Sequence, residues 1–357
     1  MRAVLTGVGA FIFGLGLASS AEAGSRAAEI LDRFEHANQW RDHVMVVAHR
    51  AGGLQDGKRR FPENSMASLR NAIALGAEMV EIDVRRSGDG ELIVMHDTWL
   101  DRTTDCKGEV IARSMDDLRN CHLVVEGTGA VTAEPVPTLR EYLTVAKDKI
   151  LVNLDNKLDT SDLVDMVALA RAMGMEEQVV VKANLWSEER LASVKTVMSR
   201  VGQGFQFMPI MADDAVREPA FVEAAGKAFA ADAVEMIAWR GEVETMTVSG
   251  GPLFSAKVRA AAIRGDWHIW VDTHAIVNKP GGYLSGGRGD ELAVAAGFPN
   301  EVFGFWVERG ATMIQTDEPH AAIEWLAANG YRVPYGEVEA PVASVAGQAA
   351  HQSAPTN

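Results

Sequence analysis

Two apolar stretches of this chain end in, or carry, side chains that titrate. In "VMVVAHR" the run Val44–Ala48 leads straight into His49 and Arg50, and "MVEIDV" at 79–84 holds Glu81 and Asp83 two positions apart. Alternate side chains of an extended strand share a face, so Glu81 and Asp83 point one way and Ile82 the other. Adjacent carboxylates repel unless a proton or a cation lies between them. Asp155, closing the run "ILVNLD" at 150–155, adds a third acid. Three hard oxygen donors suit Mg2+ or Ca2+, whereas zinc normally recruits imidazole nitrogen or thiolate. Glu81, Asp83 and Asp155 are therefore candidate ligands for one divalent cation, Mg2+ or Ca2+, a reading that an isolated E-x-D pair does not carry by itself. The competing reading is a set of strand-flanking carboxylates neutralised by Arg85 or Arg86.

An imidazole titrates near neutrality and serves as general acid or base where a rigid element holds it. His49 has that support at the end of a core strand. A lone histidine there is more often structural, but a second one returns to meet it: the "SGDG" turn of "RRSGDGELIVMHD" (85–97) marks a hairpin that brings His96 back to the level of Glu81 and Asp83. The net charge of −15 repels anions unless the site supplies positive charge of its own. Arg50, Lys157 and the cation supply it. The same charge excludes a nucleic-acid backbone as the main partner. Asp272 and Asp317, near the ends of later strands, either orient a neighbour or satisfy loop groups.

Eight strand-like runs position these residues, at 44–49, 79–84, 150–155, 179–183, 205–211, 233–239, 267–273 and 311–317. Between them lie helical patterns such as "SMASLRNAIALG", with apolar residues three and four apart and a glycine stop. Continuous apolar strands alternating with helices indicate a parallel sheet covered by helices. Eight repeats predict an α/β fold of the closed (β/α)8 TIM-barrel type, with a hairpin insertion after strand 2 and a long glycine-rich loop, "KPGGYLSGGRGD", after strand 7. In such a barrel the groups at the C-terminal ends of strands form the site.

The ends of the chain read differently. Residues 1–23 combine Arg2, an apolar stretch to about Ala18 and small residues at Ala21 and Ala23, the pattern of a secretory signal peptide. Residues 24–334 form one barrel domain and 335–357 a disordered tail. The expected destination is export, periplasmic or secreted, with no stable membrane insertion. Export also makes a disulfide between Cys106 and Cys121 possible, the alternative being two free thiols. The sequence sets no oligomeric state.

Taken together, "HR" at 49, "PEN" at 62, "EIDVRRSGDGELIVMHD" at 81, "DRTT" at 101, "LDNK" at 154 and "TDEP" at 316 resemble the glycerophosphodiester phosphodiesterase family of metal-dependent (β/α)8 barrels. The resemblance runs from about Val44 to Leu326 and is densest over 46–104. It implies catalytic roles for His49 and His96, phosphate contacts for Arg50 and Lys157, and metal ligation by Glu81, Asp83 and Asp155. It also places Trp270, at the mouth, with Glu63 and Asn64 in the substrate pocket or behind it; on their own residues, Trp270 reads equally as core and Asn64 or Ser65 as a helix cap. Two positions depart from the family pattern. Ala51 replaces a glycine after the His-Arg pair, and Asp155 replaces a glutamate, although related exported phospholipases with this barrel use aspartate there.

The implied activity is hydrolysis of glycerophosphodiesters to glycerol 3-phosphate and an alcohol. The alternatives are a phospholipase acting on lysolipids, an exported binding protein that captures phosphodiesters without turnover, and a sugar-acting barrel with paired carboxylates. The last has no use for His, Arg and Lys around its acids.

Overall fold

The computed structural model describes residues 25–274 and 282–336. The expected leader, most of the expected tail and the start of the glycine-rich loop lie outside the described residues. Eight parallel strands close into a barrel: β1 (Met45–Ala48), β2 (Met79–Arg86), β3 (Leu151–Asn156), β4 (Val179–Asn184), β5 (Gln206–Ala212), β6 (Ala233–Ile237), β7 (His268–Asp272) and β8 (Met313–Thr316). Neighbours in the barrel follow chain order, and closure comes from β1 pairing with both β8 and β2, Val46 opposite Ile314 and Ala48 opposite Val80.

Strand parity sorts the side chains into two environments. Val46, Val80, Ile82, Val152, Val181, Val234, Val271 and Ile314 face outward into the layer shared with the helices. The inward set changes character along each strand. At the lower level Met45, Val47, Met79, Leu151, Val180, Met208, Ala233, Trp270 and Met313 fill the interior as a sealed apolar floor. One step further, the residues of the same parity are Glu81, Asn153, Lys182, Glu235, Asp272 and Gln315, all buried. A polar layer therefore rests directly on an apolar one.

Helix starts follow local chemistry. Ser65 caps the helix Met66–Leu75 by accepting from Ser68 N–H, and Thr138 with Glu141 forms a capping box on Leu139–Ala146. After β2 the chain builds more than a hairpin. Val84–Arg86 pairs antiparallel with Leu92–Val94, and a second antiparallel pair, His122–Val125 with Ala130–Pro135, follows. This insertion has its own core around Ile93, Met95, Leu100, Leu118 and Leu123 and is tied by a Cys106–Cys121 disulfide. Tyr335 and Gly336, placed by the sequence in the tail, belong to the folded body: Arg33 stacks over the Tyr335 ring and Gly336 N–H donates to Glu29. No helix among the described residues is long and apolar enough to cross a membrane.

Candidate active site at the barrel mouth

The turn after β1 sets the first residues of the site. Arg50, Ala51 and Gly52 take positive φ in succession, at 49°, 68° and 73°. Gly52 is required there, since a Cβ would meet Pro319 Cγ at 2.6 Å. Ala51 adopts the left-handed angle its methyl disfavours, a strain of about 1–3 kcal/mol of the kind that persists only where surroundings enforce it. The turn leaves Arg50 N–H donating to Glu81 Oε2 at 3.1 Å and His49 Nε2 at 4.0 Å from that oxygen. His49 Nδ1–H donates to Asp317 Oδ1 at 2.8 Å, across 268 residues of sequence. Its ring lies against that of His274.

Glu81, Asp83 and Asp155 converge, each offering an oxygen, with all three oxygens within 4.8 Å of one another. Register places Asp83 opposite Asp155 on the neighbouring strand. Arg86 is turned away to Asp162 and Asp165, so it does not neutralise the cluster. Lys157 does, with Nζ 3.1 Å from Asp83 Oδ1 and 2.7 Å from Asp155 Oδ2. Burial pushes the Asp83 carboxyl up, but Lys157, Arg50 and His96 outweigh it and hold Asp83 well below the usual carboxylate range. Asp155 is likewise held low against burial, by Lys182 and Lys157. Glu81 goes the other way: burial, then repulsion from Asp83, raises it to about 8. Three oxygen donors, one of which is held mostly protonated at pH 7 for want of positive charge, are a fitting donor set for a hard divalent cation.

The hairpin returns as the turn residues require. Met95 N–H donates to Asp83 C=O, and His96 follows, its Nδ1–H on Asp97 Oδ1 at 2.7 Å. Burial raises the Asp97 carboxyl, but hydrogen bonds from His96 and Arg102 hold it below the usual range. Each of the two histidines is thus backed at Nδ1 by an acid, one beside Glu81 and the other acting on Asp83. Glu63 accepts with both oxygens from Arg50 Nη1 at 3.0 Å and takes a two-nitrogen fork from Arg102 at 2.6 and 2.9 Å, which fixes the Arg102 guanidinium. Asn64, in the left-handed region at φ 58°, donates Nδ2–H to Asp83 Oδ2 at 2.7 Å. Ser65 is the cap, which releases Asn64 for this bond.

Residues 55–234 match the sequence profile of the Glycerophosphoryl diester phosphodiesterase family. The chain belongs to that family. Among its relatives, a glycerophosphodiester phosphodiesterase of Caldanaerobacter subterraneus is 33% identical over 115 residues, 32% of this chain and 45% of that protein. Glycerophosphodiester phosphodiesterase 1 of Rattus norvegicus is 34% identical over 132 residues, 36% of this chain and 38% of that protein. The chain spans about half the length, or less, of these curated relatives. Two solved structures share the fold. A glycerophosphoryl diester phosphodiesterase from Parabacteroides distasonis has a TM-score of 0.59 at 19% identity, covering 85% of this chain and 93% of its own. A glycerophosphodiester phosphodiesterase from Agrobacterium tumefaciens has 0.53 at 22%, covering 79% and 99%.

Within the family frame, the structure brings together His49, Arg50, Glu63, Asn64, Glu81, Asp83, Asp155 and Lys157, with His96 beside them. For Trp270 the structure favours the core reading over the mouth. The side chain is fully enclosed in the apolar floor, one layer below the acids, and touches the polar layer only by donating Nε1–H to Asp272 Oδ1 at 2.9 Å. It supports the site from beneath instead of lining its mouth. Three participants, Lys182, His274 and Asp290, escaped the sequence reading, whereas Asp272 was named in it. Lys182 sits between Glu235 at 3.1 Å and Glu81 at 3.8 Å. Asp272, which burial and Glu235 push well above the usual range, holds a proton toward Glu235. His274 covers His49. Asp290 accepts from Thr273, Thr316 and Asp317 N–H and so anchors the segment after β7 to β8. Lys182 and Glu235 had a signal, a charge at inward parity inside "VVVKA" and "AVEMIAW".

Proposed function

We propose that the chain is an exported, divalent-cation-dependent hydrolase that splits glycerophosphodiesters into glycerol 3-phosphate and an alcohol. The observation that carries this reading is the pairing of two acid-backed histidines, His49–Asp317 and His96–Asp97, around a three-carboxylate cluster flanked by Arg50 and Lys157. A sugar-acting site has no need of that surplus of cationic groups, and a mere binding site has no need of two oriented imidazoles.

Glu81, Asp83 and Asp155 would hold the ion. When bound, it supplies positive charge for the phosphoryl oxygens and acidity for the attacking hydroxyl. Burial, then the adjacent Arg50, keeps His49 neutral at pH 7, the form able to accept a proton. His49 takes the proton of the attacking hydroxyl, from water or from the 2-hydroxyl of the glycerol unit, as its oxygen bonds to phosphorus. The bond from phosphorus to the departing alcohol breaks, and His96 delivers a proton to that oxygen. Where the 2-hydroxyl has attacked, the product is a cyclic phosphodiester, which water then opens to glycerol 3-phosphate with the two histidines exchanging roles. Arg50 and Lys157 are placed to meet the charge that accumulates on the phosphoryl oxygens. Asp317 and Asp97 hold each ring with its Nδ1–H turned away from the reaction.

Export is supported by the leader pattern at 1–23 and by the Cys106–Cys121 disulfide, which persists in oxidising compartments. The test is glycerol 3-phosphate release from glycerophosphocholine and glycerophosphoethanolamine by the purified chain. Chelator should abolish it, and Mg2+ and Ca2+ added back separately should identify the ion. Turnover undiminished by chelator would overturn the cation; no turnover with any soluble diester would overturn the reaction.

A further inference from the structure

The exposed apolar side chains are not scattered over the barrel. Of the eleven large ones among the described residues, nine lie in segments that leave the C-terminal ends of β2, β4, β6 and β7, the face that holds the site. Trp99 and Trp186 are 52% and 53% exposed, Val243 98% and Val248 80%. Tyr283 joins them from the segment after β7. These residues do not float independently. Arg240–Gly241 pairs antiparallel with Gly282–Tyr283, and Thr247 N–H donates to Gly286 C=O at 2.9 Å, so the segment after β6 and residues 282–286 form one flap carrying Val243, Val248 and Tyr283. Two of the aromatics have guanidinium groups stacked on them, Arg190 over Trp186 and Arg240 over Tyr283, each 5.0 Å from the ring centre.

We propose that this rim is a docking surface for a zwitterionic phospholipid layer. Tryptophan and tyrosine favour the boundary between headgroups and acyl chains, where the ring is half wet and half apolar. An arginine beside each is placed for lipid phosphate. The apolar residues come from four separate segments with no common groove, an arrangement that suits a compliant surface better than a shaped protein partner. The overall charge of −15 repels anionic lipid, which selects a zwitterionic layer. The surface deepens the hydrolase reading above, on which this clause rests, by naming a lipid-anchored glycerophosphodiester, such as a lysophospholipid in its layer, as a substrate the site receives.

The test uses the full chain and vesicles of phosphatidylcholine carrying bromine on the acyl chains, which quench tryptophan only at contact range. The N-terminal 24 residues contain no tryptophan, so any quenching reports on the barrel. Emission should fall with the native chain, and the double variant Val243→Asp with Val248→Asp, whose tryptophans are intact, should bind about tenfold more weakly or worse. Unchanged emission with the native chain, or equal quenching in the variant, overturns the surface. Glycerol 3-phosphate release from soluble glycerophosphocholine is measured on both chains and should agree within about twofold, since a factor of two is only about 0.4 kcal/mol. Docking without turnover would overturn the hydrolase reading alone, and turnover without docking would overturn the rim alone.

Discussion

The imidazoles of His49 and His274 lie face to face, 3.7 Å between ring centres and 16° apart in plane. With Asp317 at the edge of the same ring, His49 is fixed both in tilt and in rotation. A ring so held has one proton-accepting direction, toward Glu81.

Removing that orientation should cost turnover before it costs stability. Asp317→Asn keeps the volume but offers an amide in place of the acceptor, favouring the wrong tautomer of His49. We expect kcat to fall by about 10²-fold or more with KM changed far less, as for other acid-oriented histidines. His49→Ala and His96→Ala should each lose about 10²-fold or more with an unchanged circular dichroism spectrum. A fully active, folded double-alanine variant would end the two-histidine mechanism.

The three acids should be separable from the rest by their effect on cation binding. Asp155→Asn leaves Lys157 without one of its two carboxylate partners and removes one charge from the cluster. Calorimetric titration of the chelated chain with Ca2+ or Mg2+ should register an affinity loss of about tenfold or more, since removing a ligand should cost at least what outer-shell changes do. Equal affinity would mean the ion sits elsewhere.

Below the barrel, Glu78 is buried against Arg332, at 2.7 Å, and His43, at 3.4 Å. Burial alone would raise its carboxyl, but Arg332 and His43 pull it down to about 2. A carboxyl lowered on folding stabilises above its unfolded pKa near 4.5 and loses that contribution as pH falls toward 2. The amount is roughly 3 kcal/mol. Urea midpoints should therefore drop steeply between about pH 4.5 and 2. In Arg332→Met that acid-side slope should flatten and stability at pH 7 fall by about 3–5 kcal/mol.

The Cys106–Cys121 bond closes a 15-residue separation inside the insertion that carries His96. Its loss should cost about 3 kcal/mol of constraint on the unfolded chain. Reductant should lower the melting temperature by several degrees, and in Cys106→Ser with Cys121→Ser the added reductant should have no further effect.

Legibility in the sequence followed distance along the chain. Glu81 and Asp83 could be read as a pair because parity is local, and the hairpin that returns His96 is announced by its own turn. The eight strands were legible for the same reason. The His49–Asp317 bond and the His49–His274 stack join the first strand to the last two, and nothing near either residue signals them. Trp270 shares its face with Asp272, but parity cannot say how high a residue stands in the barrel, which is why the sequence left Trp270 between floor and mouth. Lys182 was overlooked although its parity was readable, because one charge in a run of valines looks like an interruption. At Ala51 a methyl disfavours positive φ, and the closed turn between His49 and Gly52 imposes it.

The layer of methionines with Trp270 beneath the acids closes the barrel from below. Anything that reaches the acids must therefore come from the C-terminal ends of the strands. Whatever arrives must depart by the way it came, so occupants take turns, and a slow leaver bars the next arrival.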